Sequence, residues 1–256
     1  MTKTVEFEIQ KDVGIVRLNR PEAHNSVNAS VMEELEQIVK SLEHRNDIRF
    51  LILTGTGKAT FCAGGDLKYF ATLKTRSKGL KMSRRMCAIL DRLAAGPQVV
   101  IAAVNGSAWG GGCEILTACH FRIAASSAKF AFRQAANGLT TGWGGGIRLF
   151  QLVGRTQALR LLLTAETISA REAHRIGLVD RVVPPAKLLA AAEQLANTIR
   201  VNPPEAVSAF LELANVASNT GRVGRNRELE IFGDRWTSDD FSHSLSTFLK
   251  GRASKP

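Results

Sequence analysis

Polar and apolar residues alternate through VEFEIQKDVGIVRLNR, residues 5–20, on both sides of Asp12, with Gly14 close to the turn. A period of two with one solvated face predicts a β-hairpin. After the loop PEAHNSVN the period changes. Val31, Leu35, Ile38 and Leu42 recur at helical intervals, and Ser30 with Glu33 has capping-box spacing, so a helix is expected up to about Arg45. IRFLILTG (48–55) and VVIAAVNG (99–106) are short apolar runs that end in glycine, as strands buried on both faces do. Each delivers the chain into a glycine-bearing loop. Farther on, TTGWGGGIRLFQLVG sets a glycine cluster before an apolar helical segment, and Ser169 with Glu172 repeats the capping-box spacing. AREAHRI then closes on Gly177, and LVDRVVPP returns to strand. From Ala186 the pattern is helical almost to the end, interrupted at Pro203 and Pro204. The order predicts an α/β core over 1–197 and a helical region over 198–256.

Composition narrows the class without choosing a function. Of 256 residues, 45% are hydrophobic and 22% charged, ordinary values for a soluble globular chain. The longest uninterrupted apolar run, Val99–Val104, is far short of the roughly 18 residues of a spanning helix, and MTKTVEFEIQ has no hydrophobic signal core. A cytoplasmic protein with no membrane contact is expected. Thirty-four Lys and Arg against 23 Asp and Glu leave a formal charge of +11, which favours anionic partners such as phosphorylated metabolites or nucleic acid. Cysteines 62, 87, 113 and 119 form no CxxC pair and are expected as free thiols. The five histidines show no ligand spacing, so no metal is expected.

Several nucleotide motifs fail on single positions. A phosphate loop ending at Gly57-Lys58 would need glycine at Ile52 and a hydroxyl at Ala59. A GxGxxG reading from Gly110 meets Ile115, and one from Gly142 meets Ile147. No GxSxG elbow occurs. What remains is a pair of loops, CAGGD at 62–66 and WGGGCE at 109–114, each placed to leave a strand and open a helix. N–H groups at a helix start are unpaired and carry partial positive charge, so two such loops face to face can hold an oxyanion. Glycine admits a substrate close to the backbone, and Glu114, in the first turn after the second loop, is placed as a general acid or base. Ordinary turns with an acid complementing a helix dipole fit the same residues.

FCAGGDL, AVNGSAWGGGCEILTACHFRIAA, GLTTGWGGGIRL and TAETISAREAHRIGLVDRVVP resemble, in order and spacing, the enoyl-CoA hydratase/isomerase family, also called the crotonase superfamily. The resemblance implies an α/β spiral of strand-strand-helix repeats, followed by a C-terminal helical region that forms homotrimers or hexamers and closes the site. It implies an acyl-CoA thioester as substrate, with no separate cofactor, and a carbonyl oxygen held by two N–H groups that map onto Ala63 and Gly111. Gly64 and Gly65 share the first loop. CoA contacts are implied at Ala23, His24, Asp66, Leu67 and Lys68, and Trp143 or Trp109 as an acyl-pocket wall.

Hydratases of the family use two glutamates, one at the position of Glu114 and one twenty residues on. Here the second position holds Gln134, and residues 131–141 contain no acid. Glutamine has no ionisable proton and orients water only by hydrogen bonds, so a hydratase would rely on Glu114 for both proton transfers. Decarboxylation of a 2-carboxyacyl-CoA makes the same enolate with no base, and WGGGIRL and ELEIFGDRW resemble the ethylmalonyl-CoA decarboxylase branch. Double-bond isomerisation is a further alternative. Six basic residues between Lys74 and Arg85, with no acid among them, keep RNA binding as the non-enzyme alternative, though no aromatic residue interleaves them for base stacking. Enoyl-CoA hydration is the expected activity.

Overall fold

The computed structural model describes residues 3–218 and 222–253. The hairpin predicted at the start is present as β1 (Val5–Gln10) and β2 (Val13–Leu18), paired antiparallel. Helix α1 (Ala29–Leu42) follows. Its cap is Asn28, whose side chain accepts from the Val31 N–H at 3.0 Å, so the Ser30–Glu33 box is not used and the helix starts one residue before Ser30. Both residues are good caps; the earlier one takes the exposed N–H first.

The apolar runs become β3 (Phe50–Gly55) and, beyond β4 (Thr60–Cys62), α2 (Leu67–Phe70) and α3 (Arg76–Ala95), β5 (Val99–Val104). Every residue of β3 and β5 is buried. Strand alternation explains how a continuous apolar run is used. Leu51, Leu53, Val100, Ala102 and Val104 face one core, while Phe50, Ile52, Val99, Ile101 and Ala103 face another. After β6 (Ser107–Trp109) and α4 (Gly111–Thr117), the theme repeats in β7 (Phe121–Ala125) and β8 (Lys129–Ala131), then α5 (Gly145–Thr164). The chain continues through β9 (Ile168–Ser169), α6 (Ala170–Arg175), β10 (Arg181–Val183) and α7 (Leu188–Arg200).

Two sheets result, ordered β1-β2-β3-β5-β7-β10 and β4-β6-β8-β9. Each repeat places one strand in each sheet and then turns into a helix: β3-β4-α2, β5-β6-α4, β7-β8-α5. This is the strand-strand-helix spiral. The three-residue strands β4, β6 and β8 pair in parallel, and local patterning gave no sign of them as strands.

Helices α1, α3 and α4 cover one face of the larger sheet, and α7 covers the other through Leu188, Ala191, Ala192 and Ala196. Helix α7 runs unbroken through position 197, so the chain changes direction only after Arg200, before the prolines. Ser169 caps α6 as expected, accepting from the Glu172 N–H at 3.2 Å, while the Glu172 carboxylate pairs with Arg160 and Arg175. Helices α8 (Pro204–Ser218), α9 (Arg222–Trp236) and α10 (Asp239–Ala253) complete the order. Helix α9 lies on α3, with the Trp236 ring against Gly79 and within about van der Waals reach of Phe70, Phe232 and Phe241. No helix among the described residues is long and apolar enough to cross a membrane.

Candidate active site

The first glycine loop leaves β4 and is tied down from three sides. Ala63 donates its N–H to the His24 carbonyl at 3.0 Å. Val27 donates to the Gly64 carbonyl at 2.8 Å, and Asp66 donates to the Val27 carbonyl at 2.9 Å. These two bonds form a parallel bridge centred on Val27 and Gly65, a pattern that turns the N–H of Gly65 itself away from Val27. Gly64 has φ +87°, the left-handed region, and a Cβ there would lie 2.7 Å from the Gly111 nitrogen. Glycine is therefore what lets the first loop rest on the second.

The second loop turns at Gly110, φ +50°, whose N–H is held by the Ala131 carbonyl at 2.8 Å. Helix α4 starts at Gly111, and as a first helical residue its N–H has no acceptor inside the helix. Gly112 packs so tightly on the Cys62 carbonyl that a Cβ would overlap it. Gly65 and Gly111 thus present N–H groups from two abutting loops. The expected donor at Ala63 is corrected: its N–H is spent on the His24 carbonyl, while the bridge leaves the Gly65 N–H facing away from Val27.

Glu114 follows in the first turn of α4 and is only 2% exposed. Its Oε2 accepts from the Trp143 N–H at 2.7 Å and the Gly145 N–H at 3.0 Å. Its Oε1 accepts from the Gln134 side-chain amide at 3.0 Å and, at 3.4 Å, from the Gly142 N–H. All of these partners are donors, the surroundings that suit a carboxylate as acceptor. Close packing leaves no room for a side chain at Gly145, where a Cβ would overlap Glu114.

This cradle at the start of α5 was not foreseen as a partner of Glu114. The glycine run at 142–146 was the one signal for it, and nothing local tied that run to a glutamate some thirty positions earlier. Two further side chains hold the cradle. Ser83 of α3 donates to the Gly142 carbonyl, and Arg148 donates to the Trp143 carbonyl and to Thr117 Oγ1.

Gln134 stands at the entry of a short 3-10 turn, Ala135–Asn137, and is 9% exposed. Its Oε1 is buried and meets no hydrogen-bond donor among the described residues. An acceptor left in that condition costs on the order of 1–3 kcal/mol.

Trp143 is buried, with its ring laid against Gly111, so it walls the second loop from within. Trp109 is half-buried in β6. The Asp66 carboxylate pairs with Arg20 at 2.9 Å and caps α2 through the Lys68 N–H at 3.0 Å. The Asp66 side chain thereby ties the first loop to Arg20 and to the start of α2. Lys68 and His24 are exposed beside the first loop, and Ala23 and Leu67 are half-buried. Burial pushes the Cys62 thiol up to about 12 and also raises Cys113, so the two thiols flanking the loops are not nucleophiles at neutral pH. Among the described residues no group of three or more His, Cys, Asp or Glu is placed to hold a metal ion.

A family model described as Enoyl-CoA hydratase/isomerase matches residues 8–255. The chain belongs to the enoyl-CoA hydratase/isomerase family. Among relatives, the chain is 37% identical to the short-chain-enoyl-CoA hydratase of Clostridium acetobutylicum, over 97% of this chain and 95% of that one. It is 34% identical to the crotonyl-CoA hydratase of Syntrophomonas wolfei, over 98% and 96% of the two chains. The enoyl-CoA hydratase solved from Bacillus anthracis superposes with a TM-score of 0.81 at 32% identity, covering 97% of this chain and 96% of that one. An enoyl-CoA hydratase/isomerase from Xanthobacter autotrophicus Py2 superposes with a TM-score of 0.89 at 26% identity over the whole of both chains.

Proposed function

We propose that the protein reversibly hydrates an enoyl-CoA to a 3-hydroxyacyl-CoA, with Gly65 and Gly111 N–H groups holding the thioester oxygen and Glu114 moving the proton. The observation that carries this reading is the Glu114 carboxylate, buried beside both loops and fixed by backbone N–H groups. Water adds to C3 as Glu114 takes one of its protons, and the electrons of the double bond pass into a thioester enolate. The two N–H groups stabilise that oxyanion where water is excluded, and Glu114 returns the proton to C2. One carboxylate performs both transfers. Trp143 forms the wall beside Gly111, and Lys68 with His24 meets the CoA phosphates.

Relatives named for short-chain-enoyl-CoA and crotonyl-CoA hydration support hydration over isomerisation and decarboxylation. A 2-carboxyacyl substrate would also bring its carboxylate toward Glu114, a like-charge approach in a low-dielectric site. The same reading includes an assembly of trimers or hexamers in the cytoplasm, with no cofactor beyond the substrate's CoA. Exposed Phe210 and Leu213 on α8, at 73% and 61%, support a surface covered by a further chain. The test is an assay of the purified protein with crotonyl-CoA and with methylmalonyl- and ethylmalonyl-CoA. Loss of enoyl absorbance without CO₂ release is expected. CO₂ release with no effect on crotonyl-CoA would overturn the reading.

A further inference from the structure

Glu114 Oε2 accepts from the N–H groups of Trp143 and Gly145, and each of these belongs to a peptide unit whose carbonyl is bonded as well. The Gly144 carbonyl, in one unit with the Gly145 N–H, accepts from the Arg148 N–H at 3.3 Å inside α5. The Gly142 carbonyl, in one unit with the Trp143 N–H, is met from a different element. Ser83 Oγ of α3 donates to it, and Cys87 Sγ, one turn on, donates to it at 3.3 Å. Both side chains are buried, where a hydroxyl is costly unless it finds an acceptor. Asp91, one turn farther, pairs with Arg148 at 3.3 Å, and Arg148 donates to the Trp143 carbonyl. Positions 83, 87 and 91 recur at intervals of four along α3, so one stripe of this helix is spent on the backbone of a single turn.

We propose that Ser83 and Cys87 are positioning residues for Glu114, which hold and polarise the Gly142–Trp143 peptide that donates to its Oε2. The inference rests on Glu114 as the proton carrier of the hydration reading. A hydrogen bond to a peptide carbonyl draws electron density toward the oxygen and leaves the N–H of the same unit more positive, so the two bonds strengthen each other. The chain of bonds runs from the Ser83 hydroxyl, through the peptide, to Glu114 Oε2. A donor strengthened in this way favours the ionised carboxylate, the form that takes a proton from water. A thiol donates more weakly than a hydroxyl, so Ser83 carries the larger share.

The pH profile separates this role from packing. Ser83→Ala removes the stronger donor and is expected to lower kcat for crotonyl-CoA hydration by about tenfold, with KM changed by less than about twofold. The acid limb of kcat/KM should move to higher pH by a few tenths of a unit, because a peptide that donates less well stabilises the carboxylate less, by the roughly 10–30% that polarisation adds to a charged hydrogen bond. Ser83→Cys keeps the shape of the side chain with a weaker donor, and its limb should fall between wild type and Ser83→Ala. It decides the matter alone if circular dichroism shows Ser83→Ala unfolded. An acid limb at the wild-type position in every folded variant, whether or not kcat falls, would show packing only and overturns the proposal. Exchange of the C2 hydrogens of butyryl-CoA with D₂O uses Glu114 but adds no water, and reads the same limb by a second route. Wild-type protein that exchanges C2 hydrogens yet never hydrates crotonyl-CoA overturns the hydration reading, and the Ser83 shift is then read on exchange; wild-type protein that does neither overturns both.

Discussion

The side-chain amide of Gln134 donates to Glu114 Oε1 at 3.0 Å, so two residues twenty positions apart in the chain are bonded to each other. Two carboxylates at that separation would repel, and one would have to hold a proton. The glutamine makes the pair a single anion, whose geometry is then set by the backbone of the Gly142–Gly145 turn.

That geometry depends on Gly145, where a methyl group would overlap the Glu114 side chain. Gly145→Ala is expected to displace the carboxylate and lower kcat by about 10²-fold, as misplacements near 1 Å can. Steady-state kinetics beside far-UV circular dichroism checks this, with KM and helix content nearly unchanged.

His120 gives the fold a dependence on pH. Its Nδ1 accepts from the Val100 N–H at 2.9 Å, and Nε2 lies 3.1 Å from the Ala94 carbonyl. Burial, the largest influence, holds its pKa below the ordinary 6.5. A lowered value means the folded state keeps the neutral ring, so the stability tied to it is present above pH 6.5 and is lost as pH falls through the lowered folded value. Melting curves from pH 8 down to 5 should show Tm falling in the acid half for wild type, and falling less for His120→Gln.

Trp236 fixes α9 to the rest of the protein. Its ring centroid lies 4.9 Å from Phe70, 5.3 Å from Phe232 and 5.0 Å from Phe241, and its Nε1 donates to the Leu73 carbonyl at 2.7 Å. Trp236→Ala is expected to cost about 3–5 kcal/mol in chemical denaturation, because a large cavity and an unpaired carbonyl remain.

The buried strands and the candidate acid were legible because their signals are local. β3 and β5 are unbroken apolar runs, and Glu114 follows its glycine turn within a few residues. Other features depend on partners far along the chain. β4 is a strand only because Cys62 pairs with Ala108, and the Gly65 N–H is turned away from Val27 only because Val27 bridges the loop at that register. Asn28 and Ser30 are equivalent as cap types, and only the path of the chain chose between them. The hold of the Gly142–Gly145 turn on Glu114 likewise has no local trace.

Asp66 offers a check on the first loop. Its pairing with Arg20 and its cap on α2 make it structural. Asp66→Asn keeps a capping oxygen and loses the charge opposite Arg20, for an expected cost of about 1.5–3 kcal/mol. Denaturation should show that loss, and KM for the acyl-CoA should not rise.

The central claim is that one carboxylate, Glu114, carries both proton transfers of hydration. The direct measurement is kcat/KM for crotonyl-CoA hydration by wild type and Glu114→Gln, with binding of a saturated acyl-CoA measured alongside. The account predicts a fall of about 10³-fold or more, since two transfers each contributing about 10²–10⁴-fold are lost, with binding retained. Hydration by Glu114→Gln within about tenfold of wild type would contradict it.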